Sequence, residues 1–205
     1  MADVLHFDID QVMDRFLKVF WEKGFKATTT KELAKSAGIS EGSLFHSFKS
    51  KRDIYIQSLK RYNEKGLALV ARMENNSSAL AGIREYWTAV GTMAADATRI
   101  NGCMITNASI EASNDPEIRE YLLSVHLRYD AQFKRALDRA VAQGELSAQA
   151  DTTALAQFLS NTLQGIRVLA RFNPEPEKVA NILDVTMKAL TLTSTRDHLT
   201  AQPQN

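Results

Sequence analysis

The chain has 205 residues, of which 44% are hydrophobic and 24% charged, so it is long enough to bury a sizeable core in one or two domains. Lys and Arg number 25 and Asp and Glu 24, and this balance argues against a protein coated in nucleic acid but allows a small basic face. The single cysteine excludes an internal disulfide, and the N-terminus resembles neither a signal peptide nor a membrane span. We therefore expect a cytoplasmic protein that does not contact a membrane.

The first predicted helix runs from Ile9 to Lys23. Asp8 and Gln11 have the spacing of a capping pair at its start, and Gly24 is suited to end it. Its apolar residues recur at helical spacing, so this helix should brace the two that follow. Those residues are Val12, Met13, Phe16, Val19 and Phe20.

Two short helices are predicted next, from Thr30 to Ala37 and from Glu41 to Phe48. Thr29 and Glu32 have the spacing of a capping box before the first, and Ser40 is a good cap for the second. Gly38 lies between them, where a left-handed residue is needed to turn the chain. Two short helices around one glycine are typical of a helix-turn-helix, although the same spacing also occurs in an ordinary helical hairpin.

Charge favours the helix-turn-helix over the hairpin. No acidic residue stands between Gly42 and Arg52, and Lys49, Lys51 and Arg52 end the segment near His46. Cationic side chains at the edge of a DNA-reading helix neutralise phosphates and so supply affinity without sequence information. The segment from Thr28 to Arg52 therefore predicts a surface that binds duplex DNA.

The rest of the chain also predicts helices, with no useful strand alternation and no internal repeat. We expect an all-α protein of about nine helices, with a three-helix head followed by a helical body. The predicted domains are residues 1–52 for DNA binding, residues 53–195 for the body and residues 196–205 as a disordered tail. The remaining helices are predicted over Lys51 to Asn75, Ala79 to Ala97, Gly102 to Ser113, Pro116 to just before Gly144, Thr152 to Arg171 and Glu177 to Leu192.

Several segments in register resemble the tetracycline-repressor (TetR) family of bacterial transcriptional regulators. The matching segments of the head are VFWEKGF, the TT pair, ELAKSAGIS, GSLFHSF and SKRDIY. More weakly, GCMITNASIEASNDPEIREYL, GEL and LQGIRVLARF resemble members that sense electrophiles, oxidants or small organic compounds. The resemblance implies a homodimeric repressor that binds a double-stranded DNA operator and is released by a small-molecule inducer.

Three features depart from the family pattern. Arg15 and Phe16 stand where small residues are usual in the first helix, and Asp8 and Asp10 stand where a basic residue often begins it. Phe45 replaces a tyrosine, and the missing hydroxyl removes one phosphate hydrogen bond. We expect weaker affinity for the DNA backbone without a change in the base sequence that is recognised.

The candidate DNA contacts lie on and around the second short helix. A serine hydroxyl can bond to either type of base edge and a carboxylate can accept from a cytosine amino group, so Ser43 and Glu41 are candidates for base contact. Glu41 is equally explained as an acid that stabilises a helix N-terminus. The full predicted set is Thr28, Thr29, Thr30, Glu41, Gly42, Ser43, Phe45, His46, Lys49 and Lys51.

Cys103 is a candidate sensor of electrophiles. It follows Gly102 at the predicted start of a helix, where the helix dipole, a cap from Asn101 and the nearby Arg99 would favour a thiolate. The alternative is a small buried apolar residue, which is the common fate of a lone cysteine.

A ligand pocket is predicted between the helices of the body. Met and aromatic side chains would form its walls and a few polar groups would orient the ligand, although the same apolar stripes also occur in ordinary cores. The predicted pocket residues are Tyr86, Trp87, Met93, Cys103, Met104, Asn107, Phe133, Phe158 and Thr162.

A dimer interface is predicted on the last two helices. Two antiparallel helices with apolar rows can form a four-helix bundle across a two-fold axis, and packing inside one protomer is the alternative. A dimer would let two short recognition helices read a palindrome. The predicted interface residues are Leu155, Leu159, Leu163, Ile166, Val179, Ile182, Leu183, Thr186 and Leu190.

Two other classes of function remain open. A helical enzyme is disfavoured because His6, His46, His126 and His198 are scattered and no glycine loop could cradle a phosphate, so no metal, cofactor or catalytic residue is predicted. A helical adaptor that binds proteins through a head without DNA affinity is the other alternative. Loss of DNA binding with dimerisation intact would favour the adaptor.

Overall fold

The computed structural model describes residues 8–96, 98, 101–172 and 174–192. Within these residues the chain forms nine α-helices, a short 3-10 turn (Ala170–Phe172) and no strand. The prediction of an all-α fold is therefore confirmed. The helices are α1 (Ile9–Ala27), α2 (Thr30–Ala37), α3 (Glu41–Ser47), α4 (Lys51–Asn75), α5 (Ala79–Ala94), α6 (Met104–Glu111), α7 (Pro116–Ala142), α8 (Thr152–Leu169) and α9 (Pro176–Leu192).

Several helix ends differ from the predictions by one to four residues, and three of these differences involve glycines or the limits of the described chain. α1 continues beyond Gly24, although Gly24 itself leaves the helical conformation at φ 82°. α6 begins only at Met104, because Gly102 has φ 61° and turns the chain just before it. α5 ends at Ala94, and the predicted extension to Ala97 reaches a residue outside the described part of the chain.

The chain divides into two compact units. Unit 1 contains residues 1–66 and 104–123, and unit 2 contains residues 67–103 and 124–205. The predicted head, residues 1–52, lies within unit 1 together with the first part of α4, all of α6 and the start of α7. The predicted tail, residues 196–205, lies outside the described residues.

The core of unit 1 is built around α1, which packs against α2 and α6. The ring of Phe16 meets Phe48 at a centroid distance of 5.5 Å, and Phe20 meets Tyr55 of α4 at 4.8 Å. At the surface, Arg61 of α4 donates to both carboxylate oxygens of Asp14, at 2.9 and 2.8 Å. This forked geometry fixes the register of α1 against α4.

The core of unit 2 packs α5 against α8 and α9. A Cβ atom on Gly91 of α5 would lie 2.5 Å from Leu183 Cδ1 of α9, so the glycine is required for the close approach of the two helices. Leu159, Leu163 and Leu190 are fully enclosed between these elements.

Candidate DNA interface and effector core

The predicted capping box orders the start of α2. Glu32 N donates to Thr29 Oγ1 at 3.2 Å, and Thr29 N donates to Glu32 Oε2 at 2.9 Å. Lys23 also donates to the Glu32 carboxylate. This hydrogen bond contributes most, and those from Thr29 contribute less, to lowering the pKa of Glu32 from 4.5 to about 2. The beginning of α2 is therefore held by bonds that its own sequence supplies.

The turn between α2 and α3 has the predicted glycine geometry. Gly38 adopts the left-handed conformation at φ 72° and ψ 27° and donates its N–H to the last turn of α2. Ser40 Oγ then accepts from Ser43 N at 3.0 Å, which caps α3. The helix-turn-helix geometry thus follows from a left-handed glycine and two side-chain caps.

The α3 helix, which we call the recognition helix, buries one face and exposes the other. Leu44 and the following Phe48 are buried in unit 1. Glu41 is held by Thr30 Oγ1, which donates to its carboxylate at 2.8 Å and so ties α2 to α3. The exposed face carries the predicted residues Glu41, Gly42, Ser43, Phe45 and His46, and exposed Lys49 follows the helix.

Two predicted phosphate contacts serve the fold instead. The side chain of Thr28 is only 1% exposed and its hydroxyl donates to the Gly24 carbonyl at 2.7 Å, so it is unavailable to DNA in this conformation. Lys51 Nζ donates to the Thr28 carbonyl at 2.6 Å and lies 4.6 Å from the Phe25 ring centroid. Burial lowers the pKa of Lys51, against the opposing effect of nearby acids including Glu111.

The cationic edge is smaller than the sequence indicates. Arg52 donates to Asp115 at 2.6 Å and to Glu117 at 2.7 Å, which raises its pKa and joins the start of α4 to the start of α7. Because Lys51 and Arg52 are engaged within unit 1, Lys49 is the exposed cation of the predicted cluster. Neighbouring acids, which the local sequence does not show, explain the difference.

Glu111 at the end of α6 binds the backbone beyond Gly24. Its carboxylate accepts from Phe25 N at 3.0 Å and from Lys26 N at 2.7 Å. A Cβ atom on Gly24 would lie 2.3 Å from Glu111 Oε2, so the glycine makes room for the carboxylate as well as for the positive φ. No local motif in the sequence predicted this connection of α6 to α1.

In unit 2, aromatic rings from α5 and α7 form a cluster beside a buried cation. Tyr86, Trp87 and Phe133 pack together, with Trp87 and Phe133 stacked at 6.0 Å. Arg167 of α8 donates from Nη2 to the Tyr129 hydroxyl at 2.9 Å, and its guanidinium lies 4.6 Å from the Tyr129 ring centroid. We call these five residues the effector core.

Two donors in the effector core have no partner in the described chain. Arg167 Nη1 and Trp87 Nε1 are closed off from solvent and make no hydrogen bond there. Burial raises the pKa of Tyr86, with Arg167 opposing, so its hydroxyl stays a donor at neutral pH. Burial, followed by the charge of Arg167, lowers the pKa of the neighbouring His126. No local pattern in the sequence distinguishes Arg167 from an ordinary surface arginine near a helix end.

The structure separates the predicted pocket residues. Tyr86, Trp87 and Phe133 are buried together, and Met93 and Thr162 are partly buried in the same unit. Phe158 is 41% exposed, because it points away from the core, and this corrects its predicted place in the pocket. Met104 and Asn107 belong to unit 1, where Met104 is buried and Asn107 partly buried.

Cys103 immediately precedes α6 and is 9% exposed. The predicted cap from Asn101 is displaced because α6 starts at Met104, and Arg99 lies outside the described residues. Arg167 is instead near enough for its charge to interact with the Cys103 sulfur. A cation does neighbour this thiol, but tertiary structure rather than local sequence supplies it.

The predicted dimer contacts lie mainly in the protomer's own core. The predicted apolar rows of α8 and α9 face inward because these helices pack on α5 and on each other. Burial inside one protomer therefore explains why these positions are apolar. Leu159, Leu163, Ile166, Val179, Thr186 and Leu190 are buried, and Leu155, Ile182 and Leu183 are partly buried. The opposite faces of the same helices instead expose Phe158, Val168 and Val185.

Two family models match the chain. Residues 13–57 match the model described as "Bacterial regulatory proteins, tetR family", and residues 79–186 match "Tetracyclin repressor-like, C-terminal domain". The second match alone covers more than half of the chain. The chain belongs to the TetR family. It is a DNA-binding transcriptional regulator and not an enzyme.

Known members of the TetR family resemble the chain over most of its length. It is 29% identical over 187 residues to YezE of Bacillus subtilis, an uncharacterised HTH-type transcriptional regulator, and the match covers 90% of this chain and 96% of that protein. It is 28% identical over 188 residues to the HTH-type transcriptional repressor ComR of Escherichia coli, covering 89% and 88%. A cysteine mutant of CifR complexed with 26bp double-strand operator DNA matches with a TM-score of 0.83 at 22% identity, covering 92% of this chain and all of that one.

Among the described residues, no helix has both the length and the apolar character needed to cross a membrane. The same part of the chain contains no group of three or more His, Cys, Asp or Glu side chains placed to hold a metal ion.

Proposed function

We propose that this TetR-family regulator is a repressor that binds a palindromic operator as a homodimer in the cytoplasm and is released by a small-molecule inducer. The observation that carries the proposal is the recognition helix, which exposes polar residues on a face fixed by Leu44, Phe48 and two caps. ComR is a repressor and the CifR mutant is bound to operator DNA, which supports the same action here. We retain residues 1–52 as the DNA-binding domain and residues 53–195 as the body.

Within this proposal the DNA contacts fall into two groups. Ser43 and Glu41 face the base edges, with Glu41 oriented by Thr30. Exposed His46 and Lys49 and the start of α2 at Thr29 contact phosphates. Thr30, Gly42, Phe45 and Lys51 border this surface, and Thr28 supports it from within through its bond to Gly24.

Binding to DNA taken from upstream of the chain's own gene tests the function. We expect the protein to retard this DNA in an electrophoretic shift and Lys49→Ala to bind more weakly, with a salt slope smaller by about 2, because the dimer loses one phosphate contact in each protomer. Lys60→Ala is the matched control, because Lys60 is an exposed lysine of α4 away from the recognition helix. A protein that dimerises but retards no such DNA would instead be an adaptor.

The proposed dimer uses the outward faces of α8 and α9. Phe158 is 41% and Val185 64% exposed, and large apolar side chains exposed on neighbouring helices are typical of a surface that a second copy covers. In sedimentation, we expect Val185→Glu to shift the protein from dimer to monomer. Leu127→Glu on α7 is the control, and a monomer produced by that variant instead would place the interface on α7.

The proposed release acts on the connection between α6 and α1. Glu111 binds Phe25 N and Lys26 N, so a displacement of α6 would disturb the end of α1 and the start of α2. We expect Glu111→Gln to weaken the response to inducer while the recognition helix still folds. The separation of the two heads, measured with and without inducer by spin labels, should change in the wild type. An unchanged separation contradicts this route.

We also propose that Cys103 responds to electrophiles. The charge of Arg167 interacts with the Cys103 sulfur, and a cation beside a thiol generally favours its thiolate. Such a thiolate would add to one alkene carbon of an electrophile such as a maleimide, so that an S–C bond forms while the C=C π bond breaks and the neighbouring carbon takes up a proton from water. N-ethylmaleimide should label Cys103, as read by intact mass, and should lower operator affinity. Cys103→Ser should abolish both effects; an unchanged inducer response in that variant would show that Cys103 is only a core residue.

A further inference from the structure

Arg167 is a partly buried cation that no acidic side chain of the described residues neutralises. No Asp or Glu of the described chain forms an ion pair with it, although arginines elsewhere in the protein pair with carboxylates, as Arg52 and Arg61 do. Its Nη1 atom is enclosed and donates to nothing in the described residues. A buried guanidinium with a vacant donor is costly, so a group that supplies negative charge at this point would be strongly favoured.

Tyr129 fixes the direction of the guanidinium. Its hydroxyl accepts from Arg167 Nη2 at 2.9 Å while its ring lies under the guanidinium at 4.6 Å. Besides the edge that Tyr129 occupies, the guanidinium has an enclosed donor at Nη1 that a ligand can satisfy. A planar cation held in this way suits an oxyanion that approaches edge-on.

The surroundings favour an apolar molecule around that anion. Tyr86 is buried, makes no hydrogen bond within the described chain and lies in electrostatic range of Arg167. Trp87 and Phe133 stack beside it and contribute apolar surface. One fixed cation, a tyrosine hydroxyl and aromatic walls match a molecule with a single negative charge at one end of a hydrophobic body.

We propose that the effector bound by unit 2 is a hydrophobic organic anion, whose carboxylate accepts from Arg167 Nη1 and whose apolar body packs on Tyr86, Trp87 and Phe133. This inference rests on the proposed function, since it names the chemical class of the inducer. A carboxylate fits better than a phosphate dianion because a single cation is available to it.

Pairs of acids and their amides test the charge requirement. The probes are benzoate, 1-naphthoate and octanoate with the corresponding neutral amides, each up to about 10 mM, a concentration tenfold above a Kd of ~1 mM. At least one acid should raise the melting temperature of the full-length wild type more than its amide does. Equal shifts within every pair, or no shift with any acid, overturn the proposal.

Variants locate the effect. Arg167→Gln should abolish the advantage of the acid over the amide, and Arg167→Lys should retain part of it, because the charge remains while the planar donor is lost. Arg171→Gln is the matched control, since it removes an exposed arginine one turn away. If Arg167→Gln does not fold, the comparison of acids with amides still tests the proposal in the wild type and in Arg167→Lys. An advantage that survives Arg167→Gln overturns the proposal.

Operator binding, measured in parallel, separates this inference from the function. A wild type that prefers acids but binds no operator supports the ligand class and contradicts the repressor. A wild type that binds operator but shows no preference for an acid over its amide contradicts the ligand class alone.

Discussion

The two units satisfy their polar groups differently. In unit 1 the polar groups near the recognition helix bind one another, through the Thr29–Glu32 capping box, the Ser40 cap and the Thr30–Glu41 hydrogen bond. Among the described residues of this unit, no buried side-chain nitrogen or oxygen lacks a hydrogen-bond partner. Unit 2, in contrast, contains buried side-chain atoms that form no hydrogen bond within the described residues, among them Trp87 Nε1, Ser160 Oγ and Arg167 Nη1.

This difference matches two tasks. A DNA-reading surface benefits from rigid, complete bonding, because the positions of its side chains must be fixed before the operator arrives. An effector site benefits from donors that the protein leaves vacant, because a ligand that satisfies them stabilises the state it binds. The following four changes probe this contrast.

The largest expected effect is in the aromatic part of unit 2. Phe133→Ala should lower the free energy of unfolding by about 3–5 kcal/mol, because it removes an enclosed ring that contacts Tyr86 and Trp87. Urea denaturation followed by tryptophan fluorescence measures the loss. Phe45→Ala, which truncates a 48% exposed phenylalanine of unit 1, should change it by less than about 0.5 kcal/mol. Similar losses from both would contradict the assigned burial.

Gly24→Ala should cost unit 1 about 1–3 kcal/mol, because the new methyl group meets Glu111 and the backbone keeps a positive φ. Thermal melting of the variant and of the Gly24→Ala, Glu111→Ala double variant is the measurement. Because Glu111→Ala by itself removes the acceptor of Phe25 N and Lys26 N, the double variant is compared with Glu111→Ala, and Gly24→Ala should cost less in that background, where only the backbone part of the loss remains. As a control, a Cβ atom on Gly42 would lie 3.6 Å from Ser40 Oγ, an ordinary contact, so Gly42→Ala should not destabilise the fold. An unaffected Gly24→Ala would mean that Glu111 moves aside freely.

Thr29→Ala should remove about 1 kcal/mol, since the N–H of Glu32 loses its acceptor. Chemical denaturation quantifies it, and operator affinity should fall with it because α2 supports the recognition helix. Thr153→Ala, at an exposed position in the first turn of α8, should leave both quantities nearly unchanged. If Thr29→Ala is as stable as the wild type, Thr29 does not cap α2 in solution.

The smallest effect concerns pH. The pKa of Glu32 is lowered from 4.5 to about 2 in the folded protein, so its contribution to stability is present above 4.5 and is lost as the pH falls towards 2. The difference in melting temperature between the wild type and Glu32→Gln should therefore be constant above about pH 5 and shrink below it. A difference that does not depend on pH would show that the Lys23 and Thr29 bonds do not involve the ionised carboxylate.

Local signals in the sequence predicted local structure well. Asp8, Thr29 and Ser40 cap the helices expected of them, and Gly38 and Gly144 have the positive φ that ends a helix. The α4 helix has both of its predicted ends. Each of these features depends on residues within about four positions, so the printed order of the chain is sufficient to specify it.

Partners distant in sequence could not be predicted in the same way. The periodic rows of α8 and α9 showed that one face is apolar, but a buried intramolecular face and a dimer face have the same periodicity, and here most of the row is internal. The sequence shows that Lys51 and Arg52 are cationic, but it does not show that Lys51 donates to the Thr28 carbonyl and Arg52 to the Asp115 carboxylate.

By itself, the sequence determined the class of the fold, most helix boundaries, the helix-turn-helix and the family, because caps, glycines and hydrophobic periodicity act between near neighbours. Tertiary structure alone decided that Glu111 joins α6 to α1 and that Arg167 lies beside Tyr129 and Cys103 without an acidic partner. These contacts join residues that are 86 and 38 positions apart in the two hydrogen-bonded cases. Only the packing of helices brings such residues together, and the energy of a buried charge depends on the complete set of its neighbours.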